Sequence, residues 1–250
     1  MRSYFTLARR ELAGYFVSLT GYVIIAVVVL LLGLSFTYLL EVLNGQAVEM
    51  PVTDLFYDAF FFWLILLLAT PVITMRSFAL EKYSGTYETL MTTPVGELEV
   101  VLAKFTSVFV FYVVMWLPLL ACLFVVRHYT QDRTALDWGA LASTFLGIAL
   151  VGAVYTSLGC FASVLSRSQI IAAMISFALG IALFLLSFFS FLTPPRADWQ
   201  SRFFNYISMF SHMQDFVRGI VDARSLVFYL SLTVFFLFLT LKVVESQRWK

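Results

Sequence analysis

Charge is scarce in this 250-residue chain. Only 12% of its residues are Asp, Glu, Lys or Arg, and the 16 basic and 15 acidic side chains leave a net charge of +1. A soluble domain carries about 25% charged residues, and a balance this even offers nothing to nucleic acid or to an acidic substrate. Cysteine is as rare: Cys122 and Cys160 both fall inside apolar runs and read as small buried hydrophobes, not as a disulfide or metal pair. The two histidines, His128 and His212, come with no HExxH and no GxSxG, so a zinc or serine intramembrane protease has no catalytic set. No GxxxxGK[ST] is present, which excludes nucleotide hydrolysis through a P-loop on this chain. There is no internal repeat, low-complexity tract or Gly/Ser linker, so residues 1–250 are expected to form a single domain. No small-x-small cleavage site follows the first apolar run behind Arg9 and Arg10, and that run is expected to remain as a membrane anchor.

What abounds is apolar: 61% of the chain is hydrophobic and 27 residues are Phe. A membrane helix needs roughly 20 mostly apolar residues. The sequence predicts an all-α membrane protein with six such spans, at about 21–43, 55–75, 105–126, 139–165, 170–192 and 226–244. Pro71 and Pro118 fall within spans and are expected to kink them. With both termini cytoplasmic, ten basic residues lie inside and six outside, and four of those six sit in one long loop. Inside the spans, stretches 59–75, 105–126, 139–165 and 170–192 hold no Asp, Glu, Lys, Arg or His. Proton and cation routes need such groups within the bilayer, so any uphill transport must draw its work from elsewhere.

Two segments are amphipathic but too short to span. Residues 2–16 place Tyr4, Phe5, Ala8, Leu12, Tyr15 and Phe16 on one face, which predicts a basic interfacial helix. Between spans 5 and 6, Phe203, Tyr206, Ile207, Phe210, Met213, Val217, Ile220 and Val221 recur at helical spacing. Asn205, Ser208, His212, Asp215 and Asp222 mostly face away. These residues predict short external helices after the Pro194–Pro195 stop. Span 4 carries a run of small residues (Ser143, Gly147, Gly152, Thr156, Gly159 and Ser163 among them) that suits close helix packing or a transport path.

The stretch RSFALEKYSGTYETLMTTPVGELE, Arg76–Glu99, gathers six charged side chains between two apolar spans. As a helix it would set Leu80, Tyr83, Tyr87, Leu90 and Met91 on one face, and Glu81, Gly85, Glu88 and Thr92 on another. Gly85 weakens a helix by roughly 1 kcal/mol relative to Ala and marks a break or a close backbone approach, with Ser84 able to cap. Thr93–Pro94 signals a new start, with Glu97 and Glu99 near its positive dipole end. Joining two antiparallel helices takes only a few residues. Some two dozen patterned ones predict a docking surface, the bland alternative being a solvated connector.

RSFALEKYSGTYETLMTTPVGELEVVLAK resembles the segment after the second span of ABC-2 type transporter permeases, with Phe78, Glu81, Gly85, Thr86, Glu88, Leu90, Thr93, Pro94 and Lys104 in the motif positions. The layout of an interfacial helix, six spans and external helices before the last span extends the resemblance over the whole chain, and the Tyr-rich form looks most like the permeases linked to gliding motility. The resemblance implies the membrane subunit of an ABC exporter in the cytoplasmic (inner) membrane. A cytoplasmic coupling helix between spans 2 and 3 would seat in a separate ATPase subunit through Arg76, Phe78, Glu81, Gly85, Thr86, Glu88, Leu90 and Pro94. It further implies no enzymatic activity and no cofactor on this chain, ATP and Mg on the ATPase, and a dimer with a second permease through spans 1 and 5. A lipid-like, amphipathic or polymeric cargo is expected. The alternative from another class is a membrane scaffold anchoring a motility or secretion complex.

Overall fold

The computed structural model describes residues 2–45, 60–91, 95–130, 138–192 and 199–248. All regular elements among them are helices. They are α1 (Arg2–Val17), α2 (Leu19–Gly45), α3 (Phe60–Thr74), α4 (Ala79–Ser84), α5 (Thr86–Met91) and α6 (Glu97–Met115). These are followed by α7 (Leu117–Thr130), α8 (Trp138–Leu165), α9 (Gln169–Leu192), α10 (Trp199–Ile207), α11 (Met209–Val217) and α12 (Ala223–Arg248). Among the described residues six stretches are long and apolar enough to cross a membrane: Leu19–Glu41, Phe61–Ser84, Glu97–Val125, Trp138–Leu165, Gln169–Phe188 and Ala223–Gln247. The chain is an all-α, multi-pass membrane protein.

Helix α8 is the hub, packed against α3, α6, α9, α11 and α12. Its small residues are what let it sit there. Gly152 lies against the Tyr112 ring and Gly159 against Thr74, each so closely that a Cβ would collide, and Gly147 packs tightly against Met213 and Phe216. In lipid, where apolar burial between helices brings little gain, such close van der Waals approach drives association. The apolar stretch of α8 is 78% buried, against 22% for those of α2 and α9, so the small-residue run is packing surface.

The third span starts eight residues earlier than its hydropathy predicts. Gly96, extended at φ −67° and ψ 143°, precedes α6, and Glu97 and Glu99 occupy the first turn. Acidic residues favour the positive end of a helix dipole, so the charges that blur the hydropathy edge are those that begin the helix. The expected start signal, Thr93–Pro94, lies outside the described residues, as does 46–59, where span 2 was expected to open. Lys104 is thereby brought inside the apolar stretch of α6, which corrects the reading of uncharged spans. Pro118 falls just beyond a break at Trp116, and Pro71 is accommodated within α3, where Thr70 Oγ1 donates to the Leu66 carbonyl at 2.7 Å.

Helix α1 lies along α6. Tyr4 pairs with Thr106 (2.9 Å), Ser107 donates to the Ala8 carbonyl (2.9 Å), and Tyr15 stacks on Phe111 with centroids 5.1 Å apart. The contact face thus runs through Tyr4, Leu7, Glu11 and Tyr15, a helical period, whereas Phe5 is 68% exposed. The predicted face is rotated because Glu11, polar and omitted from it, has a partner on α6.

The helices between spans 5 and 6 are also re-phased. Ser208 interrupts the period at φ −66° and ψ 102° and caps α11 by accepting from the Ser211 N–H. Ser208 and His212 are therefore buried, while Phe203, Tyr206, Ile220 and Val221 are exposed. The Pro194–Pro195 stop lies outside the described residues.

Candidate functional site

Arg76–Glu99 is not one amphipathic helix. The chain turns at 75–78, forms α4, reverses at Gly85 (φ 73°, ψ 1°), and forms α5. A left-handed residue after a helix is where glycine costs least. No other group lies within 4 Å of a Cβ at Gly85, so its backbone angle, not a close approach, requires glycine. Ser84 does not cap forward: its hydroxyl turns back to the Glu81 carbonyl at 3.2 Å. The reversal splits the predicted apolar face, leaving Tyr83 78% exposed and Tyr87 buried.

Helix α4 is held by the end of α8. Ser163 Oγ accepts the backbone N–H groups of Phe78 and Ala79, both at 3.1 Å, and donates to the Met75 carbonyl at 3.1 Å. Phe78, the residue at the N-cap position, has no capping side chain of its own. Two donors orphaned at every helix start are thus satisfied from another span. Lys82 donates to the Val164 carbonyl, where Gln247 of α12 also reaches at 3.5 Å, and a cation there complements the negative end of the α8 dipole. Arg76 bonds Thr20 Oγ1 and Ser18 Oγ at the junction of α1 and α2.

Beneath α4 lies a charge cluster. Lys104 Nζ, on a side chain 1% exposed, is 2.9 Å from Glu81 Oε1 and 3.3 Å from Glu11 Oε1. Arg10 lies 2.8 Å from Glu11 and 3.4 Å from Glu81 on the outer side. The Phe78 ring closes the inner side, 5.4 Å from the Lys104 ammonium. Two carboxylates and a ring face compensate a cation that would otherwise be too costly to bury. Close by, burial first, then the charges of Glu81 and Glu97, push the Tyr87 phenol up to about 12, so it stays neutral.

The residues singled out from sequence thus divide. Arg76, Phe78 and Glu81 face inward and tie the connector to α1, α2 and α6. Gly85, Thr86 and Glu88 lie on the exposed side with Tyr83. The Leu90 side chain and Pro94 lie outside the described residues. Glu11, Arg10 and Ser163 were not singled out for this site, although Glu11 falls seven residues after Tyr4, on its helical face. Among the described residues no three His, Cys, Asp or Glu side chains are placed to hold a metal.

The chain belongs to the ABC-2 transporter family: residues 45–243 match the family described as ABC-2 family transporter protein. Membrane domains of this family are typically non-catalytic, and the family in general works with an ABC ATPase. No curated protein matches the chain.

Proposed function

We propose that this chain is the permease subunit of an ABC-2 exporter, and that α4 and α5 pass the movement of a separate ATPase to the membrane helices at the cytoplasmic end. The observation carrying this reading is the clamp of Ser163 on the start of α4. It joins a connector with an exposed aromatic-acidic tip, Tyr83 to Glu88, directly to the hub helix. The tip supplies the partner contact. The inner residues Arg76, Phe78 and Glu81 supply the transmission, because their charge and ring are already committed within the chain. Exposed charge pairs are worth about 0–1 kcal/mol each, so Tyr83 carries more of the docking than Glu88. ATP and Mg belong to the partner. Two permeases pair through α2 and α9, whose apolar stretches are each 22% buried in the single chain, around a path for an amphipathic cargo. No observation of its own favours the scaffold reading.

A photo-crosslinking residue placed at Tyr83 in native membranes is expected to capture a P-loop ATPase, while the same residue at Trp199 does not. Capture from Trp199 alone, or no ATPase adduct from Tyr83 in a functional variant, overturns the reading. Tyr83→Ala with Glu88→Lys is expected to leave the membrane fold intact and to abolish transport-dependent ATP hydrolysis.

A further inference from the structure

At the opposite end of α8, an open cleft of ≈ 720 Å³ lies between α10, α11 and the start of α12. Six of its side chains carry chemistry: Phe203, Tyr206, His212, Asp215, Asp222 and Arg224. His212 is only 7% exposed, its ring edge-on to Phe228 and Tyr229 at 5.6 and 5.7 Å, and its buried Nδ1 has no hydrogen-bond partner among the described residues. A buried polar atom left unpaired costs about 1–3 kcal/mol. Burial lowers the His212 pKa, with Asp215 and Asp222 acting against it, and the ring is neutral at pH 7.

The charged groups around it are equally uncommitted. Among the described residues Asp215 forms no side-chain ion pair. Asp222 Oδ1 accepts the Arg224 backbone N–H at 3.0 Å, which orients the carboxylate, and among the described residues it forms no ion pair. Among the described residues Arg224, two residues away and in the same cleft, also has no carboxylate within ion-pair distance. Two carboxylates and one guanidinium line the same cleft, and the exposed Phe203 and Tyr206 rings beside them add what an ammonium ion prefers.

We propose that this cleft binds a zwitterionic ligand, an ammonium joined to a phosphate, with the ammonium between Asp215, Asp222 and the two rings and the phosphate at Arg224. Guanidinium pairs with phosphate in a directed, often two-pronged manner. A membrane lipid headgroup and a small soluble phosphoamine share that chemistry. The proposal does not depend on the coupling role of α4 and α5.

The test uses the full chain in nanodiscs. Native mass spectrometry is expected to show phosphatidylethanolamine retained over phosphatidylglycerol, and Asp215→Asn with Asp222→Asn is expected to weaken that preference at least about tenfold, the worth of one charge-assisted contact. Arg224→Gln should weaken it with both carboxylates intact. All three side chains lie outside the packed core, so near-wild-type melting of the variants checks that folding is not at issue. Soluble phosphoethanolamine is the second probe. Competition with the lipid assigns the site to the shared headgroup chemistry, lipid retention without competition assigns it to a membrane lipid, and binding of the soluble probe alone assigns it to a free ligand. Equal retention of the two lipids with no binding of the soluble probe, or a preference untouched by the three substitutions, overturns the proposal.

Discussion

Lys104 shows how a single side chain can organise an apolar protein. Desolvating an ammonium costs several kcal/mol unless partners compensate it, and here they come from two other segments: Glu81 of α4 and Glu11 of α1. Lys104→Met removes the buried cation and leaves Glu81 and Glu11 with only the exposed Arg10 as a counter-charge. Expected is a loss of about 3–5 kcal/mol, the cost of breaking a buried pair from one side, read by unfolding in detergent. Adding Glu81→Gln and Glu11→Gln should recover much of it. A triple variant no more stable than Lys104→Met would show that the three groups do not act together. Glu81→Lys, by contrast, sets two cations side by side and should damage the bundle end itself, whereas Glu88→Lys should leave folding untouched. Ser163→Ala orphans two buried N–H groups at a cost of about 1–3 kcal/mol. The amides of Phe78 and Ala79 should then exchange hydrogen faster, with those of mid-α8 unchanged.

At the scale of elements, α4 and α5 depend on one backbone angle. Gly85→Ala meets no steric obstacle, so its cost is the left-handed conformation alone, about 1–2 kcal/mol. The chain can relieve it by running α4 into α5 as one helix, which swings Tyr83 and Tyr87 onto a common side. Expected is a gain of helical signal with loss of coupled ATP hydrolysis, while Gly85→Asn, tolerant of that angle, retains coupling. The break was legible in the sequence from Gly85 itself. The faces were not, because a helical period extrapolated through a left-handed residue assigns everything beyond it to the wrong side. The same failure recurs at Ser208, where an interruption buries His212 and exposes Phe203 and Tyr206. Glu11 and Lys104 were hidden for a different reason. Hydropathy scores each residue alone, and a buried charge becomes intelligible only once its partner on a distant segment is known.

For the whole molecule, the six apolar stretches and the family resemblance were legible because lipid imposes a length and a composition on every crossing helix. The arrangement around α8 was written more quietly, in glycines. Gly152→Val drives a branched side chain into Tyr112 and is expected to cost about 1–3 kcal/mol or more and to lower the yield of monodisperse protein on size exclusion. Gly14→Val, on α1 where no neighbour lies within 4 Å, is the control and should behave as the native chain. Ser143 and Ser163, twenty residues apart on α8, stand about 30 Å from each other at 1.5 Å per residue, the thickness of a bilayer's hydrocarbon core. One rod therefore touches both the connector and the opposite cleft region, through Phe216 at one end and Phe78 at the other.

The ion cluster under α4 has a dynamic consequence. Hydrogen bonds such as those to Ser163 vanish within an ångström or so of stretch, but attraction between opposite charges fades only with the inverse of their separation. Lifting α4 would thus release its latch at once while Lys104 and Glu81 kept pulling across the gap. That residual attraction would favour the return of α4 to its seat.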